Sequence, residues 1–303
     1  MITRTRNKYK FFWPIVFIAP FCVFFFLFNL FPILYSFYTS FLDWNGYGEK
    51  IVIGFKNYID IFTKDTLFWK SIWNTVKIGI VGFPVSIILG LVFAALISNV
   101  KRFKNVLQTV NFLPYITTPV AIGMIFTFIF EKHVGLLNKI IVFLGGESIN
   151  FTGSPLWAPL VISFMIIWKC TGYYMAMYLA GITSISEDVY EAATIDGANR
   201  LQIFFKITVP LLKSVTVFIV ITSTIYAFQL FDEANLLFTN QSSGASGGPG
   251  LSCLTIVWNF YNQAFGANPR LGYASALSCV LFVVIAVVSL IGLKVMNGGE
   301  EKR

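Results

Sequence analysis

Long apolar runs separated by short polar segments set the first reading of this 303-residue chain. A helix needs about 20 mainly apolar residues to cross the hydrocarbon of a bilayer. Six stretches meet that length: Phe11–Tyr38, Thr75–Val100, Val106–Phe130, Leu156–Gly181, Ser214–Phe238 and Tyr273–Leu293. The pattern predicts an all-α integral membrane protein of six spans, with both ends on one side because six is even. The fifth run is the shortest without charge, ending at Asp232, and the fourth holds Lys169, read as the sole charge inside any span. The N-terminal MITRTRNKYK resembles the basic start of a signal peptide. The charge-free run that follows, Phe11 to Leu42, far exceeds a signal-peptide core and lacks a small-residue cleavage site, so it reads as a retained anchor.

Composition supports lipid as the main solvent. Hydrophobic residues make up 56% of the chain and charged ones 12%, where a soluble domain carries about 25% charged. That much apolar surface does not fit inside one core. The formal charge of +8 raises nucleic acid as a partner, but the basic residues sit at span ends rather than on one stripe, and the positive-inside rule accounts for them. With the N-terminus inside, Lys and Arg divide thirteen inside to eight outside, and the dense VKRFK cluster between the second and third spans falls inside. Residues 1–10 and 296–303 are then cytoplasmic tails of a transmembrane domain over 11–295. Residues 182–212 form its longest cytoplasmic loop. The loops around Asp43–Lys70, Glu131–Pro155 and Asn240–Gly250 lie outside. The last, NQSSGASGGPG, is no phosphate cradle, because no Gly-Lys-Ser/Thr follows it. Four cysteines with no CxxC pair, and one histidine, His133, supply neither a disulfide framework nor a metal site.

The most polar long interruption is GITSISEDVYEAATIDGANRLQIFFKITVPLL. Ser184 with Glu187 fits a capping box, and Asp188 and Glu191 extend an acidic first turn. Val189, Ala192 and Ala193 share one helical face. Gly197 stands where a left-handed C-terminal cap is wanted, Asn199 can start a second helix, and Pro210 limits it. This reads as helix, glycine turn, helix. Small residues on its face let another backbone approach, and Glu191, Asp196 and Arg200 can make charge-assisted contacts around such a joint. An amphipathic connector lying on lipid fits the same pattern.

EAATIDGA, followed by Ile207 and the Val-Pro-Leu of 209–211, resembles the EAA loop of binding-protein-dependent (ABC) importer permeases, with Val209 in place of the usual leucine. In that family the loop's helix inserts into a groove of the ATP-hydrolysing subunit. The resemblance makes Glu191, Ala192, Ala193, Asp196 and Gly197 the coupling residues. It extends along the chain through LFPILYSFYTSFLDW, GFKNYIDIFTKDTLFWKSIWNTV, GGPGLSCLTIVWNFYNQAF and GYASALSCVLF. Those segments are similar to the sugar-importing branch, most like the first of two permeases in a maltose-type or glycerol-phosphate-type system; the extra NQSSGAS departs from it. The resemblance implies a six-span type I transmembrane domain with a cytoplasmic coupling loop, in the plasma membrane of a prokaryote. It also implies a heterodimer with a second permease, two nucleotide-binding ATPase subunits and an external solute-binding protein. No G-x-x-x-x-G-K-[ST] occurs, so ATP and Mg belong to the partner ATPase, and the chain is a pathway subunit, not an enzyme.

For the solute path the candidates are Lys169, with Tyr173 and Tyr174 one turn on, and Gln229 with Asp232, three residues apart toward the outer end of the fifth span. Polar side chains beside aromatic faces suit carbohydrate. An intramembrane lysine faces the bundle interior or a wet cavity, pairs helices, or snorkels. A phosphate cargo calls for basic residues, and only Lys169 qualifies, so a neutral sugar leads over glycerol-phosphate. An ion-coupled secondary transporter calls for mid-span carboxylates or broken helices, and neither is expected.

Overall fold

The computed structural model describes residues 12–100, 102–239 and 246–297. The two tails, Lys101 of the VKRFK cluster and 240–245 of the Gly/Ser-rich loop fall outside the described residues. Helices α1 (Phe12–Phe25) and α2 (Phe31–Thr39), joined by one π turn, precede strands β1 (Leu42–Asp43) and β2 (Ile51–Val52) and helix α3 (Lys56–Thr63). There follow α4 (Thr66–Ser98), α5 (Lys104–Ile116), α6 (Pro119–Ile129), α7 (Leu136–Phe143) and α8 (Trp157–Thr183). The remainder holds α9 (Glu187–Ile195), α10 (Arg200–Ile203), α11 (Val209–Leu211), α12 (Lys213–Phe228), α13 (Asp232–Thr239), α14 (Ile256–Phe265) and α15 (Leu271–Asn297).

Among the described residues, four helices are long and apolar enough to cross a membrane: Trp13–Thr39, Thr66–Ser98, Trp157–Thr183 and Leu271–Lys294. Counting each of two bent pairs as one span brings the number to six, Lys104–Ile116 with Pro119–Ile129 (93°) and Arg200–Leu211 with Lys213–Phe228 (65°). The third span is therefore not the continuous helix the hydropathy pattern suggests. The cause of the first bend is local. Thr118 precedes Pro119, whose ring disfavours helical backbone at the residue before it, and Thr118 takes φ −61°, ψ 137°. The fifth run, Ser214–Phe238, is not continuous either: its helix ends at Phe228 and a new one begins at Asp232.

The chain divides into two compact units. In the first (residues 1–64 and 263–280) β1 and β2 form an antiparallel pair, Leu42 opposite Val52. Buried Asn57 on α3 donates its amide to the carbonyls of Ser40 (2.9 Å) and Leu42 (3.0 Å), and the Gly272 N–H donates to Trp44 O at 2.9 Å. Gly272 has to be glycine because a Cβ there would run into the Leu42 carbonyl.

The second unit (65–262 and 281–303) holds the core. Its axis is the packing of α4 along α8, with Ile78 and Phe83 meeting Ile162, Met165 and Ile166. Lipid supplies no hydrophobic drive between helices, so such contacts depend on close backbone approach at small residues. Gly82 lies against Ile166 and Gly90 against Tyr174, while a Cβ on Gly172 of α8 would overlap the Asn111 carbonyl of α5. Asp65 starts α4 by accepting the N–H groups of Leu67 (2.8 Å) and Phe68 (3.0 Å), so this span begins before the expected Thr75. On α13, Leu236 packs on Gly123 of α6 and buried Leu237 joins the core.

Candidate coupling surface and solute path

The loop after α8 folds as two short helices about a glycine turn. Ser184, expected as the first cap, instead closes α8, its hydroxyl donating to Gly181 O at 2.7 Å, because α8 runs on to Thr183. Ser186 takes the capping role for α9, accepting the Asp188 N–H at 3.3 Å, with Glu187 and Asp188 in the first turn. The far end behaves as the local chemistry dictates. Gly197 has φ +79°, Gly197 N–H bonds Thr194 O (3.1 Å) and Ala198 N–H bonds Ala193 O (3.0 Å), the two bonds of a Schellman cap. Asn199 then opens α10 with a capping box, its side chain accepting Gln202 N–H (2.9 Å) while Gln202 Oε1 accepts Asn199 N–H (2.8 Å). Phe204–Thr208 continues as a π turn into α11, and the chain bends before α12.

Of the residues singled out on α9, Ala193 is buried, whereas Glu191, Ala192, Asp196 and Gly197 are exposed. Three large apolar side chains are exposed beside them: Ile195 (86%), Leu201 (69%) and Phe205 (65%). These apolar groups lie beside Glu191, Asp196 and Arg200, so the loop carries a mixed apolar and charged surface.

In the same unit, Lys169 of α8 is buried and not alone. Its Nζ lies 2.7 Å from Glu233 Oε1 on α13 and donates to Tyr226 Oη of α12 at 3.1 Å. The Tyr226 hydroxyl in turn donates to the same carboxylate oxygen at 2.9 Å. Glu233 is thus a buried carboxylate within the fifth hydrophobic run, and Lys169 is not the only charge inside a span. The three side chains tie α8 to both sides of the break in that run. Gln229 ends α12 and Asp232 starts α13, both exposed, so the helical spacing that placed them on one face does not hold across the break. Glu233 and the broken helices overturn the expectation that neither a mid-span carboxylate nor a broken helix occurs, so that expectation does not argue against ion coupling.

Tyr173, four residues beyond Lys169 on α8, stacks on Tyr115 of α5 with ring centroids 4.4 Å apart and planes 15° off parallel. Tyr174 lies against Tyr173 at 5.6 Å but is itself buried. Tyr115, next to the bend between α5 and α6, escaped the sequence reading. A second observation on these two helices is a cleft of about 530 Å³, lined among others by Lys104, Gln108, Thr109, Phe112, Met175 and Thr183. It runs from the platform side toward the end of α8 that carries the capped loop.

Up to six apolar spans, two of them bent, with a capped helical connector after the fourth, define the class: a helical, multi-pass membrane protein. Residues 86–296 match the model of the binding-protein-dependent transport system inner membrane component, and the chain belongs to that family. Among its relatives, the lactose transport system permease protein LacF of Rhizobium radiobacter is 35% identical over 96% of this chain and 97% of its own length. The arabinooligosaccharides transport system permease protein AraP of Bacillus subtilis (strain 168) is 35% identical over 93% of this chain and 87% of its own. The fold is shared, at a TM-score of 0.83 and 22% identity over 99% of both chains, with one in the crystal structure of a bacterial alginate ABC transporter in complex with alginate pentasaccharide-bound periplasmic protein. Family membership separates this chain from ion-coupled transporters where the count of intramembrane carboxylates does not.

Proposed function

We propose that this chain is one of two permease subunits of an ATP-driven importer that admits a sugar or oligosaccharide delivered by an external solute-binding protein. The observation that carries the reading is the loop between α8 and α12, a capped two-helix surface with Ile195, Leu201 and Phe205 exposed beside Glu191, Asp196 and Arg200. In the assembled importer that surface faces the cytoplasm and seats in a separate ATPase subunit, which holds ATP and Mg. Both termini are cytoplasmic, in the plasma membrane of a prokaryote. The second permease, a related chain, completes the passage; two ATPase copies close together and draw the two coupling loops with them. The chain itself catalyses no reaction.

Sugar as cargo is supported by the relatives that transport lactose and arabinooligosaccharides, and by the Tyr115–Tyr173 platform. A pyranose ring offers C–H groups to an aromatic face and hydroxyls to polar neighbours, and stacked tyrosines supply the former. Reconstitution of the complete complex in proteoliposomes tests the proposal. Uptake of labelled sugar is expected only with ATP on the side of the capped loop and binding protein on the opposite side. Uptake driven by an ion gradient with no ATP would contradict it.

A further inference from the structure

The strongest chemistry outside the coupling surface and the tyrosine platform is the closed triangle of Lys169, Tyr226 and Glu233. Its two charged members are 7% and 4% exposed, and each of its three atom pairs is within hydrogen-bond distance. A tyrosine hydroxyl has one proton to give. Tyr226 gives it to Glu233 and accepts one from Lys169, so the carboxylate oxygen receives two donors and the ammonium is neutralised. Lys169 also sits one helical turn from Tyr173, on the same side of α8. An ammonium held there without its carboxylate would act across a short, poorly screened distance on whatever rests against the platform.

We infer that Glu233 determines specificity: by cancelling the charge of Lys169 beside the platform, it commits the passage to uncharged carbohydrates. This rests on the sugar path proposed above and names its substrate class. A solute carboxylate or phosphate beside Tyr173 finds the Lys169 ammonium already taken, since it would have to displace the Glu233 oxygen that accepts from both Lys169 and Tyr226. The fold alone does not decide this, because a chain of the same fold belongs to a transporter involved in the import of the acidic polysaccharide alginate. A purely structural tie between α8 and the broken fifth run would affect neutral and anionic solutes alike. A counter-ion role changes their ratio.

The test uses the purified complete importer without its binding protein, so that delivery does not filter the solutes. Ligand-observed saturation-transfer NMR compares neutral disaccharides with the same disaccharides oxidised to uronates at C6. The wild type is expected to prefer the neutral member by about tenfold or more, the scale of one poorly screened charge. Glu233→Gln is expected to shift the ratio about tenfold toward the uronate, and adding Lys169→Met to reverse that shift. Equal loss of both ligands in Glu233→Gln overturns the inference. So does uronate binding by the wild type as tight as neutral binding, a result that needs no variant to fold and leaves the sugar importer reading standing. Failure to bind any saccharide overturns the sugar reading, and this inference with it.

Discussion

Gly197→Val is expected to lower ATP-driven uptake more than tenfold while the chain still inserts and reaches the membrane at its normal level. A Cβ at this position meets nothing within 4 Å, so the effect is not a collision. It comes from the backbone: φ is +79°, and a side chain in the left-handed region costs about 1–2 kcal/mol, at the upper end for a β-branched residue. That strain is relieved by giving up the two Schellman bonds to Thr194 O and Ala193 O, which swings α10 away from α9 and dismantles the surface formed by Ile195, Leu201 and Phe205. The change is confined to an exposed turn, so the buried α4–α8 packing stays intact. Asparagine tolerates the left-handed region better than other residues with a side chain, and Gly197→Asn should retain most of the uptake. Uptake in whole cells, normalised to immunoblotted membrane protein, measures both variants; normal uptake from well-expressed Gly197→Val would remove this turn from coupling.

Glu233→Leu is expected to destabilise the chain by about 3–5 kcal/mol, because it leaves the Lys169 ammonium buried with only a phenol for company. Within hydrocarbon an unpaired ammonium drags water inward, which disturbs the contact of α8 with α12 and α13. The double variant Lys169→Met/Glu233→Leu removes both charges and fills similar volume, so it should recover most of the loss. Thermal survival of the detergent-purified complex, followed by size-exclusion chromatography, separates the cases. A double variant no more stable than the single one would mean that the pair is held by packing rather than by charge.

The hydrophobic pattern carried the spans well because hydropathy needs only composition and length. The α9–α10 loop was nearly as legible, since Gly197 and Asn199 act through their own backbone and near neighbours. The sequence does not mark where α8 stops, so the first cap falls on Ser186 and not on Ser184. The bend at Thr118 was signalled by the proline after it, but a membrane helix tolerates proline when neighbours satisfy the freed groups, so the signal is ambiguous without the fold. Glu233 was lost for a related reason. The charge-free run ends at Asp232, whereas the carboxylate one residue later turns inward to a lysine far away in sequence. Tyr115 and Tyr173 come from separate helices, and their stacking depends on the close approach of Gly172 to Asn111. No periodicity records a pairing of that kind.

One measurement bears most directly on the claim that residues 182–212 form the cytoplasmic seat for a separate motor. With Cys22, Cys170, Cys253 and Cys279 replaced, a single cysteine is introduced as Ile195→Cys on the exposed end of α9. In inside-out vesicles a membrane-impermeant maleimide should label it, the ATPase subunit should protect it, and a short bifunctional reagent should link the two chains. Labelling from outside intact cells, or full uptake with no ATPase ever linked or co-purified, would contradict the account.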